Sequence, residues 1–162
     1  MFIPVTTEPN KILHTMGREV TPEEMRSKEM KKFVKDMIET MYIKDGVGIA
    51  AHQVANPIKV CIVAKQYSPI NTREDLVLAN PTWEKMSKKQ IWDHEGCLSV
   101  PNKVYGEIKR YTHIKVKALD INGEQNEFEA KDFPACIVQH EVEHLNGHLF
   151  IEKAKDLKPL TD

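Results

Sequence analysis

The feature that most constrains the fold is a pair of histidines late in the chain, His140 and His144. They are four residues apart, so on an α-helix their imidazoles lie on one face and can bind the same metal ion. Glu141 lies beside them without needing to be a ligand. A solvated helix with incidental histidines would show the same spacing. The preceding apolar residues favour a buried, metal-binding helix: Phe133, Cys136, Ile137 and Val138.

Helix signals occur at both ends of the chain. Thr21–Glu24 combines an N-cap hydroxyl, a proline in the first helical position and a glutamate at capping-box spacing. Apolar residues at three- and four-residue steps then predict one helix to about Ile43. A second helix is expected over about 133–145, ending at Asn146 and Gly147, because these residue types favour the left-handed C-terminal position.

Strand patterns fill the segment between these helices. Residues 58–64 form a continuous apolar run that predicts a buried strand, and residues 76–80 predict a shorter one closed by Pro81. Apolar and polar residues alternate over 112–120, and an Asn-Gly turn predicts a hairpin with 125–130. Strands between helices predict an α+β fold with mainly antiparallel sheet. No repeat or linker divides residues 1–162, so we expect a single domain.

Composition argues against several partners. The chain has 23 basic and 24 acidic residues spread over its length, so we expect no nucleic-acid binding and no attraction to anionic membranes. No apolar stretch approaches the roughly 20 residues of a membrane span, and the first residues lack a signal peptide's basic and apolar regions. Three cysteines are too few for a disulfide framework and favour a reducing compartment. We therefore expect a cytoplasmic protein.

A catalytic metal site with two histidines needs a third protein ligand and leaves its fourth position to water. Downstream, the candidates are His148 and Glu152. His148 follows Gly147, where the helix should end, so we expect its side chain to face solvent. Upstream, Cys97 lies after a glycine in the segment 95–101, which has no helical periodicity. A lone cysteine is more commonly a small buried hydrophobe than a ligand.

A third segment changes that balance. Residues 46–53, GVGIAAHQ, are small residues that permit close backbone approach and end in one polar amide. Together with EGCLS at 95–99 and QHEVEH at 139–144, they resemble the peptide deformylase family, whose signatures are GxGxAAxQ, EGCLS and QHExxH. The resemblance extends from Pro9 to Ile151 and therefore covers nearly the whole chain.

The resemblance implies mainly antiparallel sheets packed around a central metal-binding HExxH helix. The implied ligands of one divalent metal ion are Cys97, His140 and His144. Ferrous iron is the implied native ion, with zinc, nickel or cobalt able to occupy the site. Glu141 is implied as general base and acid. The side-chain amide of Gln53 and the backbone N–H of Leu98 are implied as donors to the oxyanion.

The implied reaction is hydrolysis of the formyl group from the N-terminal formyl-methionine of nascent polypeptides, which releases formate. The resemblance also implies an apolar pocket for the methionine side chain, formed by Val47, Gly48, Phe133, Cys136 and Ile137. These five residues could equally be part of the hydrophobic core. Glu95 and Arg110 match a family ion pair that holds the cysteine segment. The alternative for Arg110 is a solvated surface charge.

Three departures from the family pattern have structural consequences. His52 replaces a small residue or proline, and we expect it to face away from the metal, opposite Gln53 in an extended segment. Glu143 replaces an aspartate and should lie on a different helix face from the histidines. The chain stops soon after Ile151, whereas many family members carry a longer terminal helix associated with ribosome docking. We therefore do not expect docking through such a helix.

Two other functions remain open on the sequence. A zinc endopeptidase uses the same HExxH chemistry on internal amide bonds, but it needs a downstream third ligand. A catalytically silent homologue would keep the fold as a binding module. The intact set of Gln53, Cys97 and Glu141 argues against this second alternative.

Overall fold

The computed structural model of the chain describes residues 1–70, 72–100 and 104–159. Pro101, at the end of the cysteine segment, lies outside them. The helices of this part are α1 (Pro22–Arg26), α2 (Lys28–Ile43) and α3 (Asp132–Leu145). Its strands are β1 (Gly48–Ala50), β2 (Val60–Val63), β3 (Leu76–Lys85), β4 (Gln90–Gly96), β5 (Val104–Tyr111), β6 (His113–Leu119), β7 (Gln125–Lys131) and β8 (Lys155–Pro159).

The strands form two antiparallel sheets, which confirms the α+β prediction. One sheet has five strands in the order β1-β2-β3-β6-β7, and the other has three in the order β4-β5-β8. The strands predicted at 58–64, 112–120 and 125–130 correspond to β2, β6 and β7. None of β4, β5 and β8 was predicted from the sequence.

Two element boundaries were predicted wrongly, for local reasons. The first predicted helix is two helices, because Ser27 has an extended backbone that ends α1, and its hydroxyl caps α2. The strand predicted to close at Pro81 continues to Lys85. Asn80 has a φ of +49°, and the pairing register shifts between Ala79 and Thr82, so proline occupies a bulge where no ladder donor is required.

Each face of the five-stranded sheet packs against one helix through apolar side chains. One face packs on α2, with Ile62 and Val77 in its core, and the other packs on α3, with Ile114 and Val116. The predicted end of α3 is confirmed by Gly147, whose φ is +81°. Glu24 completes the capping box of α1 with Thr21, as its spacing predicted. Among the described residues, no helix combines the length and apolar character that crossing a membrane requires.

Candidate metal centre

Three possible ligand atoms converge where α3 faces the end of β4. The Sγ of Cys97 and one ring nitrogen each of His140 and His144 all lie within 4.8 Å of one another. The Sγ of Cys97 is 3.2 Å from the Nε2 of His144. In a tetrahedral site, bonds of about 2.3 Å to sulfur and about 2.0 Å to nitrogen place such donors about 3.5 Å apart. The residues present therefore fit one divalent transition-metal ion.

The helix fixes both histidines. His140 and His144 lie one turn apart on α3, with ring centroids 5.0 Å apart. The apolar residues of the helix, including Val138 and Val142, pack on the five-stranded sheet. His144 is completely buried, and burial together with the neighbouring His140 lowers its pKa well below the usual range. A neutral imidazole is the form that binds a metal ion.

Cys97 is positioned by the strand before it and by the turn that follows. It comes directly after β4, and its carbonyl accepts a hydrogen bond from the N–H of Val100 at 3.1 Å. The N–H of Ser99 points at the Cys97 Sγ at 3.5 Å. The turn therefore holds the sulfur in place, and the thiolate is the form of a cysteine that coordinates a metal.

Glu95 and Arg110 form the expected ion pair, and it is buried. The Arg110 Nε and Nη2 donate to the two oxygens of Glu95, each at 2.8 Å. Arg110 is 4% exposed, so its alternative assignment as a solvated charge was wrong. Burial opposes the charged form of Glu95, but hydrogen bonds from Arg110 and His140 outweigh it and lower the pKa of Glu95 well below its usual value. The carboxylate is therefore charged.

The same carboxylate orients one of the histidines. The Nδ1 of His140 lies 2.7 Å from the Glu95 Oε1, so this ring nitrogen donates and the Nε2 lone pair is left for a metal. Arg110 has a further partner that the sequence did not reveal, Glu143. The Glu143 carboxylate accepts hydrogen bonds from Arg110 at 2.5 Å and from Lys153 at 3.3 Å. Glu143 is not one of the three residues whose possible metal-ligand atoms converge.

Glu141 lies in the interior beside the donors. It is 2% exposed, and burial raises its pKa to about 7. A Cβ on Gly48 would lie only 2.8 Å from the Glu141 Oε2, so the missing side chain at Gly48 leaves room for the carboxylate. A carboxyl group with this pKa can take up and release a proton near neutral pH.

The Gln53 amide has a fixed orientation. Gln53 belongs to a 3-10 helix, Ala51–Val54, and its Oε1 accepts from the N–H of Ala50 at 2.9 Å. Its Nε2 therefore points the other way, 3.5 Å from the Cys97 Sγ. Leu98 follows Cys97 in the turn, and its side chain packs closely on Gly46. Two potential donors, the Gln53 amide and the Leu98 N–H, are thus placed beside the sulfur.

His52 lies in the same 3-10 helix, so the extended backbone assumed for its orientation was wrong. Its side chain is completely buried, and its Nε2 is 2.8 Å from the carbonyl oxygen of Thr15. It is not among the three converging donors. His148 and Glu152 are also outside that group: their side chains are 56% and 41% exposed and lie 3.6 Å apart.

The residues expected to form the pocket divide into an inner and an outer set. Ile137 and Cys136 are buried, and the Cγ2 of Ile137 is 3.1 Å from where a Gly48 Cβ would lie. Val47 and Phe133 are 36% and 40% exposed, and Phe133 packs edge-on against another aromatic ring. Gly48 and Ile137 therefore adjoin Glu141, Cys136 belongs with them to the buried set, and Val47 and Phe133 form an exposed rim.

Asp93 is a carboxyl group that the sequence did not suggest. It lies on β4 two residues before Glu95, on the same inward face. Burial, together with a hydrogen bond to Glu95, raises its pKa to about 7. Burial also raises the pKa of the neighbouring Cys136 thiol to about 12. Asp93 could have been found only by predicting β4, which would have placed it on the face of Glu95.

Known proteins resemble this chain over almost all of its length. Residues 2–160 match the family described as polypeptide deformylase. A peptide deformylase of Desulfotalea psychrophila is 36% identical over 157 residues, which cover 97% of this chain and 90% of that protein. The actinonin-bound class I type b peptide deformylase from Acinetobacter baumannii superposes with a TM-score of 0.86 at 37% identity, covering 96% of this chain and 99% of that one. Its Met-Ala-Ser-bound structure gives a TM-score of 0.86 at 37% identity, covering 94% and 98%.

Proposed function

This chain belongs to the peptide deformylase family, and we propose that it removes the N-formyl group of nascent peptides at the group formed by Cys97, His140 and His144. The enzyme is a metal-dependent hydrolase. The observation that carries the assignment of the site is the convergence of one thiol and two imidazoles within 4.8 Å, beside a buried carboxyl group. The HExxH helix α3 is then the central element of the catalytic domain, which comprises residues 1–162.

The proposed ligands bind the ion in different chemical forms. Cys97 binds as thiolate, and the two histidines bind as neutral imidazoles through their Nε2 atoms. Glu95 accepts the Nδ1 proton of His140, and Arg110 holds that carboxylate charged and in place. The chemistry supplied by a bound divalent ion is polarisation of the formyl carbonyl and a lowered pKa of water.

Glu141 moves the proton. Its carboxylate takes a proton from the attacking water and returns it to the nitrogen of the breaking formyl C–N bond, which leaves as the peptide's free amine. Formate is the second product. The burial that raises the pKa of Glu141 to about 7 suits it to both steps near neutral pH. Gly48 leaves the space this carboxylate occupies.

Gln53 and Leu98 stabilise the oxygen that becomes negative during attack. The Gln53 Nε2 donates to it because Ala50 holds the opposite end of the amide. The Leu98 N–H is the backbone donor next to the ligand Cys97. Donors fixed before the reaction stabilise the transition state without reorganising. Gly48, Cys136 and Ile137 bind the methionine side chain, with Val47 and Phe133 at the pocket's rim.

We propose Fe(II) as the native ion, supported by the family resemblance, and one ion per chain. A ligand set of one thiolate and two imidazoles also accepts zinc, nickel and cobalt. The substrate is made by ribosomes, so we propose that the enzyme acts in the cytoplasm, which agrees with its free cysteines. Residues Lys155–Pro159 pair with β5 as a strand, and we propose that they do not act as a ribosome-docking helix.

The test is an assay on protein purified without oxygen, with metal measured per chain. Formyl-Met-Ala should release formate at a rate proportional to bound metal, and a peptide with only internal amide bonds should stay intact. Chelation should abolish the activity, and Fe(II) or Co(II) should restore it. Cleavage of internal amide bonds would instead support the endopeptidase, and metal binding without either activity would support the silent homologue.

A further inference from the structure

The two proposed histidine ligands differ at the ring nitrogen that faces away from the metal. The Nδ1 of His140 has an acceptor, Glu95, at 2.7 Å. The Nδ1 of His144 is fully buried and has no hydrogen-bond partner among the described residues. Because the Nε2 of His144 faces Cys97 and would hold the metal, its Nδ1 must carry the proton. His144 therefore presents a buried donor that needs an acceptor.

His52 has the complementary arrangement. Its Nε2 lies 2.8 Å from the Thr15 carbonyl, and because a carbonyl oxygen only accepts, this nitrogen carries the proton. The Nδ1 of His52 is then an acceptor, and it too is buried without a partner among the described residues. The ring is completely buried, which favours the neutral form that this arrangement requires.

Both rings lie at one junction of the fold. The 3-10 helix of His52 packs against α3. Gly17 touches both elements: its N–H donates to the carbonyl of Leu145 at 2.9 Å, and a Cβ on it would lie 2.8 Å from the His52 Cε1. Leu145 is the neighbour of His144. The remaining buried side-chain atom without a partner among the described residues is the Ser99 Oγ, on the turn that holds Cys97.

We propose that His52 is a positioning residue for His144, linked to it by one buried water molecule. The water accepts from the His144 Nδ1–H and donates to the His52 Nδ1, and the Ser99 hydroxyl is its third partner. One donor, one acceptor and one hydroxyl are what a single buried water molecule needs, since such waters typically make about three hydrogen bonds. The link fixes the tautomer and ring orientation of His144, as Glu95 does for His140. This inference rests on the proposed metal site.

Two substitutions separate this role from simple packing. Asparagine places its side-chain oxygen near the position of the histidine Nδ1, whereas glutamine reaches the position of the Nε2. His52→Asn therefore keeps the acceptor for the water and loses the bond to Thr15. His52→Gln keeps the bond to Thr15 and loses the acceptor. The zinc affinity of the full chain is measured by chelator competition for the parent and both variants, alongside thermal unfolding.

We expect His52→Gln to weaken zinc binding by about 10- to 100-fold, the usual effect of losing a partner of a metal-bound histidine. His52→Asn should bind zinc close to the parent value. In NMR spectra of the zinc-loaded protein, the His144 Nδ1–H should be protected from solvent exchange in the parent and in His52→Asn. In His52→Gln this proton should exchange with solvent, and its signal should disappear.

Three outcomes overturn the inference: His52→Gln binds zinc as the parent does, both variants weaken binding equally, or only His52→Asn weakens it. The last result would assign the role to the Thr15 contact. Failure of the parent itself to bind zinc would instead overturn the metal site, so the two failures are distinguishable.

Discussion

The two sheets meet at the proposed metal centre but are stabilised in different ways. The five-stranded sheet is covered on both faces by apolar side chains, with α2 on one side and α3 on the other. The three-stranded sheet has a smaller apolar cluster: Leu13, Val100, Ile108, Leu149 and Phe150. It joins α3 through buried charges, because Arg110 on β5 binds both Glu95 on β4 and Glu143 on α3.

Because of this difference, the proposed histidine ligands and the proposed cysteine ligand are held in position by different kinds of interaction. The histidines lie on a helix held by close apolar packing, which tolerates small losses of volume at the cost of stability alone. Cys97 lies at the end of a strand whose attachment to α3 depends on the orientation of a buried ion pair. Charged networks require specific geometry, so changes there should affect the metal directly. The following substitutions test this division, beginning with the largest expected effect.

Cys97→Ala should have the largest effect, because it removes the proposed ligand that follows β4 of the three-stranded sheet. Metal should no longer bind stoichiometrically, and turnover of formyl-Met-Ala should fall by at least about 10,000-fold, since enzymatic accelerations begin at about a millionfold. The free energy of unfolding of the metal-free protein should change little. Metal content and formate release are the measurements. Full metal occupancy with unchanged coordination spectra would remove Cys97 from the site and reopen the roles of His148 and Glu152.

Glu141→Ala should abolish proton transfer while the metal stays bound, because Glu141 lies on α3 but is not one of the three converging residues proposed as ligands. The attacking water then has no proton acceptor and the leaving amine no donor, so turnover should fall by about 100- to 10,000-fold. The Michaelis constant should change far less, because the group acts mainly in the transition state. Kinetics on protein of verified metal content decide the matter. Loss of the metal would make Glu141 a ligand, and near-normal turnover would exclude it as the proton carrier.

Gln53→Leu should lower turnover by about 100- to 1,000-fold, the usual loss for one oxyanion donor. Leucine has a side chain of similar size but cannot donate a hydrogen bond. The metal content should stay at the parent level. Gln53→Glu is a second test: it keeps the shape and the acceptor for Ala50, but it replaces the donor by a negative charge that repels the oxyanion, so it should be at least as slow. Near-normal rates in a folded, metal-loaded Gln53→Leu protein would count against the role.

The sequence predicted the helix side of this division well. The spacing of His140 and His144 and the apolar residues around them placed α3 correctly, and Gly147 marked its end. Apolar patterns report burial on a sheet face, so β2 and β6 were also found, and the Asn-Gly turn after β6 predicted β7. The three motifs predicted three segments, and the structure brings Gln53, Cys97 and the histidines together.

The three-stranded sheet was missed because its alternation is inverted. In β4 the large apolar Trp92 is 49% exposed, while Glu95 on the opposite face is 7% exposed. Hydropathy patterns assume that charges face water, so a strand that buries a carboxylate gives no strand signal. The partner of Glu95, Arg110, came only from the family resemblance. The second contact of Arg110, with Glu143, depends on how two distant segments pack, which no local pattern encodes.

Arg110→Lys tests the charged attachment directly. Lysine keeps the charge but cannot form the bidentate bond to Glu95, so the carboxylate should orient His140 less well. Zinc affinity should fall by about 10- to 100-fold. The measurement is chelator competition at constant pH, and an affinity equal to the parent's would show that the pair's geometry does not matter.

The same variant should unfold at a higher pH on acidification. The folded-state pKa of Glu95 is depressed, so its contribution to stability is present above the unfolded-state pKa of about 4.3 and is lost as the pH falls through the folded value. A weaker partner raises the folded pKa, so protonation and the loss of stability begin at higher pH. Acid titration followed by circular dichroism measures the midpoint. A midpoint unchanged from that of the parent would mean that the other neighbours of Glu95, His140 and Asp93, set its charge state.

Ile114→Val is the matched change on the apolar side and should have the smallest effect. Ile114 is completely buried on β6, in the cluster that covers α3. Removing one methylene group there leaves a small cavity, and the free energy of unfolding should fall by about 0.5–1.5 kcal/mol. Zinc affinity and turnover should stay at the parent values, because packing on α3 is distributed over many side chains and none orients a ring nitrogen. Urea unfolding and chelator competition on the same preparation measure both quantities. If this substitution weakened zinc binding as strongly as Arg110→Lys does, apolar packing would orient the ligands as specifically as the buried charges do, and the division between the two sheets would fail.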